Sequence, residues 1–275
     1  MTLACQADQP VLAQLCMPLS QASLAIMLRI RSYGEADRIA TFLTRDFGKL
    51  TGIGKGAKNS RRRFPNCLEP FARVRVHFRT RPGASMAFLE RCDLLHPATG
   101  MSSPSCFAYG SYLLELVDKL THEADPISDV YDLLDAGLAQ IETGPATSTL
   151  LRTFELQLLR VLGYAPPLQQ CGACQRAFSA ESEAFFNADQ NLFLCDSCGG
   201  PSRASDRLAA GTLTALAQLQ VLPLESCRNL PLPPETAREA AGLTGKLLAA
   251  HLSRPLRSLE LIATLGNVSA APRQI

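Results

Sequence analysis

Residues 73–81 read RVRVHFRTR. Arg73, Arg75, His77, Arg79 and Arg81 take the odd positions, with Val74, Val76 and Phe78 between them. Side chains alternate across a β-strand, so this stretch buries one apolar face and turns four arginines to the other. Like charges along one strand face repel. The pattern therefore points to a compensating polyanion, with a merely solvated strand face as the plainer alternative.

Working outward, four more segments read as strands: 24–31, 38–44, 49–54 and 84–92, with the arginine stretch inside 68–80. Turn signals part them at Tyr33-Gly34, at Asp46-Phe47-Gly48, in a basic loop, and at Arg81-Pro82-Gly83. Five short strands between residues 23 and 97 suit a small closed barrel. The OB-fold is the commonest such barrel that offers a face to single-stranded nucleic acid. Phe42, Phe47, Phe78 and Phe88 read as its core.

The loop KGAKNSRRRFP spans residues 55–65, and Lys55, Lys58, Arg61, Arg62 and Arg63 line it with cations. Beside a basic strand it suits a clamp for a nucleic-acid backbone. Phe64 is a candidate to stack a base. GIGKG, at 52–56, lacks the GxxxxGK[ST] spacing of a phosphate loop and reads as a tight hairpin turn. Between Arg45 and Arg81 eleven basic residues face only Asp46 and Glu69, a local charge of +9 within a chain of net charge +2. The remainder carries −7 by subtraction. A basic first domain joined to a mildly acidic second one points to a polyanion partner for the first.

After a polar, proline-bounded linker at 96–104 the apolar period changes to that of a helix. Tyr109, Tyr112, Leu113, Leu116, Val117 and Leu120 make one stripe. Ile127, Val130, Leu133, Leu134, Leu138 and Ile141 make a second, and Leu150, Leu151, Phe154, Leu158 and Val161 a third. Helical pattern resumes over 206–221, 234–252 and 256–265. The fold class expected is α+β: a barrel over 23–97, then a helical domain over 98–275.

Inside the helical domain, at 168–202, lies the sharpest motif. Cys171-x-x-Cys174 and Cys195-x-x-Cys198 are twenty residues apart. Each pair can curl to offer two thiolates to one ion, and the segment between them, with 184–186 facing 192–194, suits a hairpin. This is the spacing of zinc ribbons and knuckles. Four thiolates satisfy one zinc and leave no position for water, so the metal is expected to be structural. A rubredoxin-like iron site and an empty or redox-active set are the alternatives.

The remaining cysteines, Cys5, Cys16, Cys67, Cys92, Cys106 and Cys227, are scattered singly, which suits a reduced cytoplasm better than a disulfide framework. No run of eighteen apolar residues predicts a membrane helix. The first 22 residues do not read as a signal peptide. They read as a loose, flexible extension, or as an overlong start with translation beginning at Met17. His77, His96, His122 and His251 lie apart from one another and from the cysteine pairs, and no nucleophile or paired-carboxylate motif is present. The expectation is a binding protein and not an enzyme.

Together these residues resemble the RecO family of bacterial recombination mediators. The run LRIRSYGEADRIATFLTRDFGKLTGIGKGAKNSRRRF, then Leu68-Glu69-Pro70-Phe71, carries the likeness in the first half. Phe154-Glu155, the stretch 158–163, the double CxxC and Arg257-Ser258 carry it in the second. The likeness covers about residues 24–265. It implies an OB-fold domain, a helical domain and an inserted zinc finger. It also implies a nucleoid-associated protein that binds single- and double-stranded DNA, anneals complementary strands, engages the acidic tail of single-strand binding protein, and acts with RecR to help load RecA. An RNA-binding OB protein and a protein-interaction scaffold are the rivals from the residues alone. A zinc hydrolase or deaminase is disfavoured, because such sites keep a position open.

Overall fold

The computed structural model describes residues 20–270 apart from 82, 145, 180–181, 200–204 and 210, so most of the expected extension lies outside the described residues. The first half forms β1 (Gln21–Tyr33), β2 (Asp37–Thr44), β3 (Gly48–Gly54), β4 (Arg73–Arg79) and β5 (Ala87–His96). They close into a barrel in the order β1-β2-β3-β5-β4. All pairings are antiparallel except β3 with β5, which is parallel. This is an OB-like barrel, as expected.

Two expectations for this half are corrected. Residues 68–72 are not strand: Phe71 takes φ +72° after Pro70, and its N–H bonds the Met27 carbonyl across a bend. The turn after Gly54 is not a hairpin either. β3 and β4 are not neighbours, so residues 55–72 cross to the far side of β5. Local turn chemistry marked the bend correctly, but pairing is a long-range property that the turn does not carry.

The burial pattern of β1 shows why the barrel sits where it does. Ala25, Ile26, Met27 and Leu28 are all buried, without alternation. Ala25 and Met27 point inward to Phe42, Val74, Val76, Phe78 and Leu89, which fill the barrel. Ile26, Leu28 and Leu43 point outward into a second core, shared with the helices. The outer wall at β1 and β2 is thus covered, and that at β4 and β5 is left to solvent except at the Arg73 end, which α2 covers.

The helical half comprises α1 (Pro104–Leu120), α2 (Ser128–Glu142), α3 (Ser148–Val161), the single turn α4 (Asp196–Gly199), α5 (Thr212–Leu219), α6 (Pro234–Ala249) and α7 (Arg257–Ala270). Ser103 caps α1 by accepting from Cys106 N, and Thr147 caps α3 by accepting from Leu150 N. Between α3 and α5 lie β6 (Ala184–Asn187), β7 (Leu192–Cys195) and β8 (Ser205–Leu208), a sheet of order β7-β6-β8. The 206–221 helix is therefore corrected. Its first residues pair with β6, and helix begins only after Gly211, whose φ of +89° interrupts the period. Four strand residues are too few to show a period of their own.

Two buried cations fasten the barrel to the helices. Lys49, 8% exposed, donates from Nζ to the carbonyls of Asp118 and Thr121 at the end of α1, the latter at 2.6 Å. Burial pushes its ammonium below the ordinary value while Asp118 opposes that. Gly48 beside it lies so close to the Asp125 backbone that a Cβ would meet the carbonyl oxygen at 2.2 Å. Lys49→Ala should cost about 3 kcal/mol, because carbonyls and a carboxylate lose their cation in a buried seam. Urea unfolding checks this, and an unmoved midpoint would show that Lys49 fastens nothing.

Candidate nucleic-acid interface and metal centre

On β4, Val74, Val76 and Phe78 are buried and Arg75 and Arg79 exposed, as the alternation requires. Arg73 departs from the expected open face. It is 8% exposed, pairs through Nε with Asp135, and contacts Glu142 at 2.8 Å. Both carboxylates belong to α2, so this arginine is the second fastening between barrel and helices. The alternation placed it on the correct face, but α2 covers that end of the strand.

β5 supplies what the arginine count overlooked. Glu90 takes Arg79 at 2.6 Å, Asp93 takes His77 at 2.9 Å, and Arg91 lies 3.2 Å from His77. The outer face of β4 and β5 is therefore positive but partly compensated. Arg91 is an exposed cation that a period-two count from the buried Ala87 and Leu89 would have turned inward; the register shift at Glu90 brings it out opposite His77. Among the described residues, Arg61, Arg62, Arg75 and Arg81 form no ion pair.

The basic loop runs along the other side of β5. Its Arg63 carbonyl accepts from Cys92 N at 2.8 Å, where β3 has already left the strand. Lys55 pairs with Asp37 at 2.7 Å, and that bond, with one from Gly56 N, holds the Asp37 carboxyl below its usual range. Lys58 donates to the Gly34 carbonyl. These contacts pin the loop, so it is less free than its composition suggests. Arg61, Arg62 and Arg63 are exposed, while Phe64 is buried against Gly54 and Leu68 inside the barrel. Phe64 is thus core and not a stacking platform, with the Arg63 guanidinium over its ring at 5.2 Å. Phe88 goes the opposite way: expected in the core, it is half-buried on the outer face, with Arg79 over its ring at 5.9 Å.

The structure brings the four motif cysteines together. The sulfurs of Cys171, Cys174, Cys195 and Cys198 all lie within 4.8 Å of one another. A tetrahedral ion with metal–sulfur bonds of about 2.3 Å needs sulfurs roughly 3.8 Å apart, so the set can hold one metal ion. The first pair sits on a tight turn in which Gly172 N bonds the Phe193 carbonyl at 2.8 Å. A Cβ on Gly172 would meet Leu192 at 2.8 Å. The second pair straddles the end of β7 and α4. Burial pushes the Cys171 thiol up, but N–H groups of Cys174, Cys195 and Ala173 outweigh it and bring it down to about 6. Cys198 is pushed up to about 12 by its neighbouring thiols. Four sulfurs this close cannot all ionise without a cation between them.

The finger is not an isolated appendage. Phe186 and Phe193 are buried in the core of the helices, whereas Phe185 and Leu194 pack round the cysteines. Alternation along β6 and β7 thus turns Phe186 and Phe193 to the helical core and Phe185 and Leu194 to the other face, where they pack with the cysteines. Among the described residues no helix is long and apolar enough to cross a membrane.

Comparison with known proteins accords with this architecture. Residues 19–98 match the family described as "Recombination protein O N terminal", and residues 101–260 the one described as "Recombination protein O C terminal". The chain is 34% identical over 239 residues to "DNA repair protein RecO" of Syntrophus aciditrophicus (strain SB), covering 86% of this chain and 92% of that protein. It is 35% identical over 243 residues to "DNA repair protein RecO" of Myxococcus xanthus (strain DK1622), covering 88% and 96%.

Proposed function

The chain belongs to the recombination protein O family, whose matched relatives are DNA repair proteins, and from that membership we propose that it is a non-enzymatic mediator that binds and anneals single-stranded DNA. Annealing breaks no covalent bond. It requires that phosphate repulsion between two strands be lowered, which a surface of unpaired cations does by displacing counterions. The observation that carries the reading is the solvent-facing part of β4 and β5, flanked by the 55–63 loop, where Arg61, Arg62, Arg75 and Arg81 form no ion pair among the described residues. Lys55, Lys58, Arg63, Arg79 and Arg91 extend that surface. Arg73 contributes by holding it in place.

In this reading the four-cysteine set holds one structural zinc. Thiolate ligands at this spacing suit zinc, and a completed tetrahedron has no vacant position for catalysis. The protein works in the bacterial cytoplasm, at the nucleoid. It acts on strands coated with single-strand binding protein, whose acidic tail it engages, and with RecR it helps to load RecA.

The test is annealing of complementary strands coated with single-strand binding protein, with and without this protein, at two salt concentrations. Acceleration that weakens as salt rises is the expected result. No acceleration, with tight binding to the coating protein alone, would replace the mediator reading with that of a protein-interaction scaffold. Equal or better performance on RNA strands would favour an RNA-binding role.

A further inference from the structure

The outer wall of the barrel holds a notch of about 320 Å³ lined by Ile53, Arg79, Arg81, Ala84, Met86 and Phe88. Its floor follows from strand register: Ile53 pairs with Phe88 across β3 and β5, and Phe88 with Arg79 across β5 and β4. Phe88 is the middle residue of that row. Met86 stands at one side, 39% exposed. Arg81 stands at the rim, where the bond from Ala84 N to the Arg81 carbonyl at 3.0 Å closes the turn that carries it. Apolar atoms line the floor and cations the edge.

We propose that this notch seats one unpaired nucleobase of a single strand, stacked against Phe88 and Met86, with its phosphate on Arg81. The proposal rests on the DNA reading above and adds a site to it. Three observations point to a base. Phe42, Phe64 and Phe78 are spent inside the barrel, whereas Phe88 turns an aromatic ring outward, and every base has a flat face to lay on it. Arg81 at the rim complements a phosphate, while Arg79, held by Glu90 at 2.6 Å, lies over one side of the Phe88 ring at 5.9 Å. The volume lies at the small end of ligand pockets, roughly 300–1,000 Å³, enough for a base and too little for a duplex. Paired bases stay in their stack, so the notch gives the barrel a preference for single strands that its charge alone cannot supply.

The experiment compares Phe88→Leu and Phe88→Tyr with the parent protein, using a single-stranded oligonucleotide carrying 2-aminopurine and a duplex of the same length. F88L should lose about fivefold or more in single-strand affinity, lose the fluorescence change that reports stacking, and keep the parent's salt slope. Its duplex affinity should stay at the parent's level, which also shows that the barrel is folded. F88Y should behave as the parent. Unchanged single-strand affinity and fluorescence in F88L would overturn the notch. So would unchanged strand binding with weakened binding of a single-strand binding protein tail peptide, which would make it a peptide site. A parent protein that binds neither strand form would instead overturn the DNA reading itself.

Discussion

Charge reversal of Arg75 and Arg81 to glutamate is expected to weaken single-strand binding about a hundredfold at low salt. The two side chains are exposed and no carboxylate among the described residues neutralises them, so their charge is available to phosphates. Each lost charge-assisted contact costs about 1.5 kcal/mol or more, close to tenfold in affinity. The salt dependence should flatten too. At about 0.7 per phosphate on single strands, two contacts remove roughly 1.4 from the slope. Arg79 offers the contrast, since Glu90 already holds it at 2.6 Å, and R79E alone should lose less. Titrations at three or more salt concentrations give both quantities. If R75E/R81E kept the parent's affinity and slope, the β4 and β5 face would not be where strands bind.

Metal removal should produce the other large effect, and on stability more than on DNA binding. Purified protein is expected to carry about one zinc per chain by elemental analysis. Exhaustive chelation, or Cys195→Ser, should release it and lower the first thermal transition by roughly 10 °C, which corresponds to about 4 kcal/mol in a domain of this size. The loss reaches beyond the finger because β6 and β7 turn Phe185 and Leu194 towards the cysteines and Phe186 and Phe193, 2% and 0% exposed, into the helical core. Loosening the first face withdraws two phenylalanines from the helical core. Single-strand affinity should stay within about threefold of the parent's, since the cations lie on the barrel. Metal-free protein that melted with the parent would show the site to be idle; metal-free protein that lost DNA binding would place part of the interface on the finger.

Much of this molecule was legible in residue order. Turn signals gave the barrel strands, a period of two gave the inward side of β4, a period of 3.6 gave α1, α2 and α3, and the cysteine spacing gave the metal set. Each of these is a local signal, carried by backbone geometry over a few residues or by the ligand demand of one ion. The outward position of Arg91 was not readable this way, because a register shift at Glu90 reverses the alternation that Ala87 and Leu89 set.

The fate of individual side chains was decided elsewhere. Arg73 and Arg75 alternate identically in the sequence, yet α2 covers the first with Asp135 and Glu142 and leaves the second to solvent. Phe64 and Phe88 exchange the places expected of them. A crossing loop carries the one into the barrel, and the β3–β5 pairing turns the other out beside Arg79. Glu155, wholly buried between Tyr112 and Arg152, and the strand at Ser205–Leu208 also depend on partners distant in the chain. Periodicity settles which side of an element a residue takes, because that depends on the backbone alone. What lies against that side depends on how the elements pack, and only the tertiary structure could say which cations have no ion pair among the described residues.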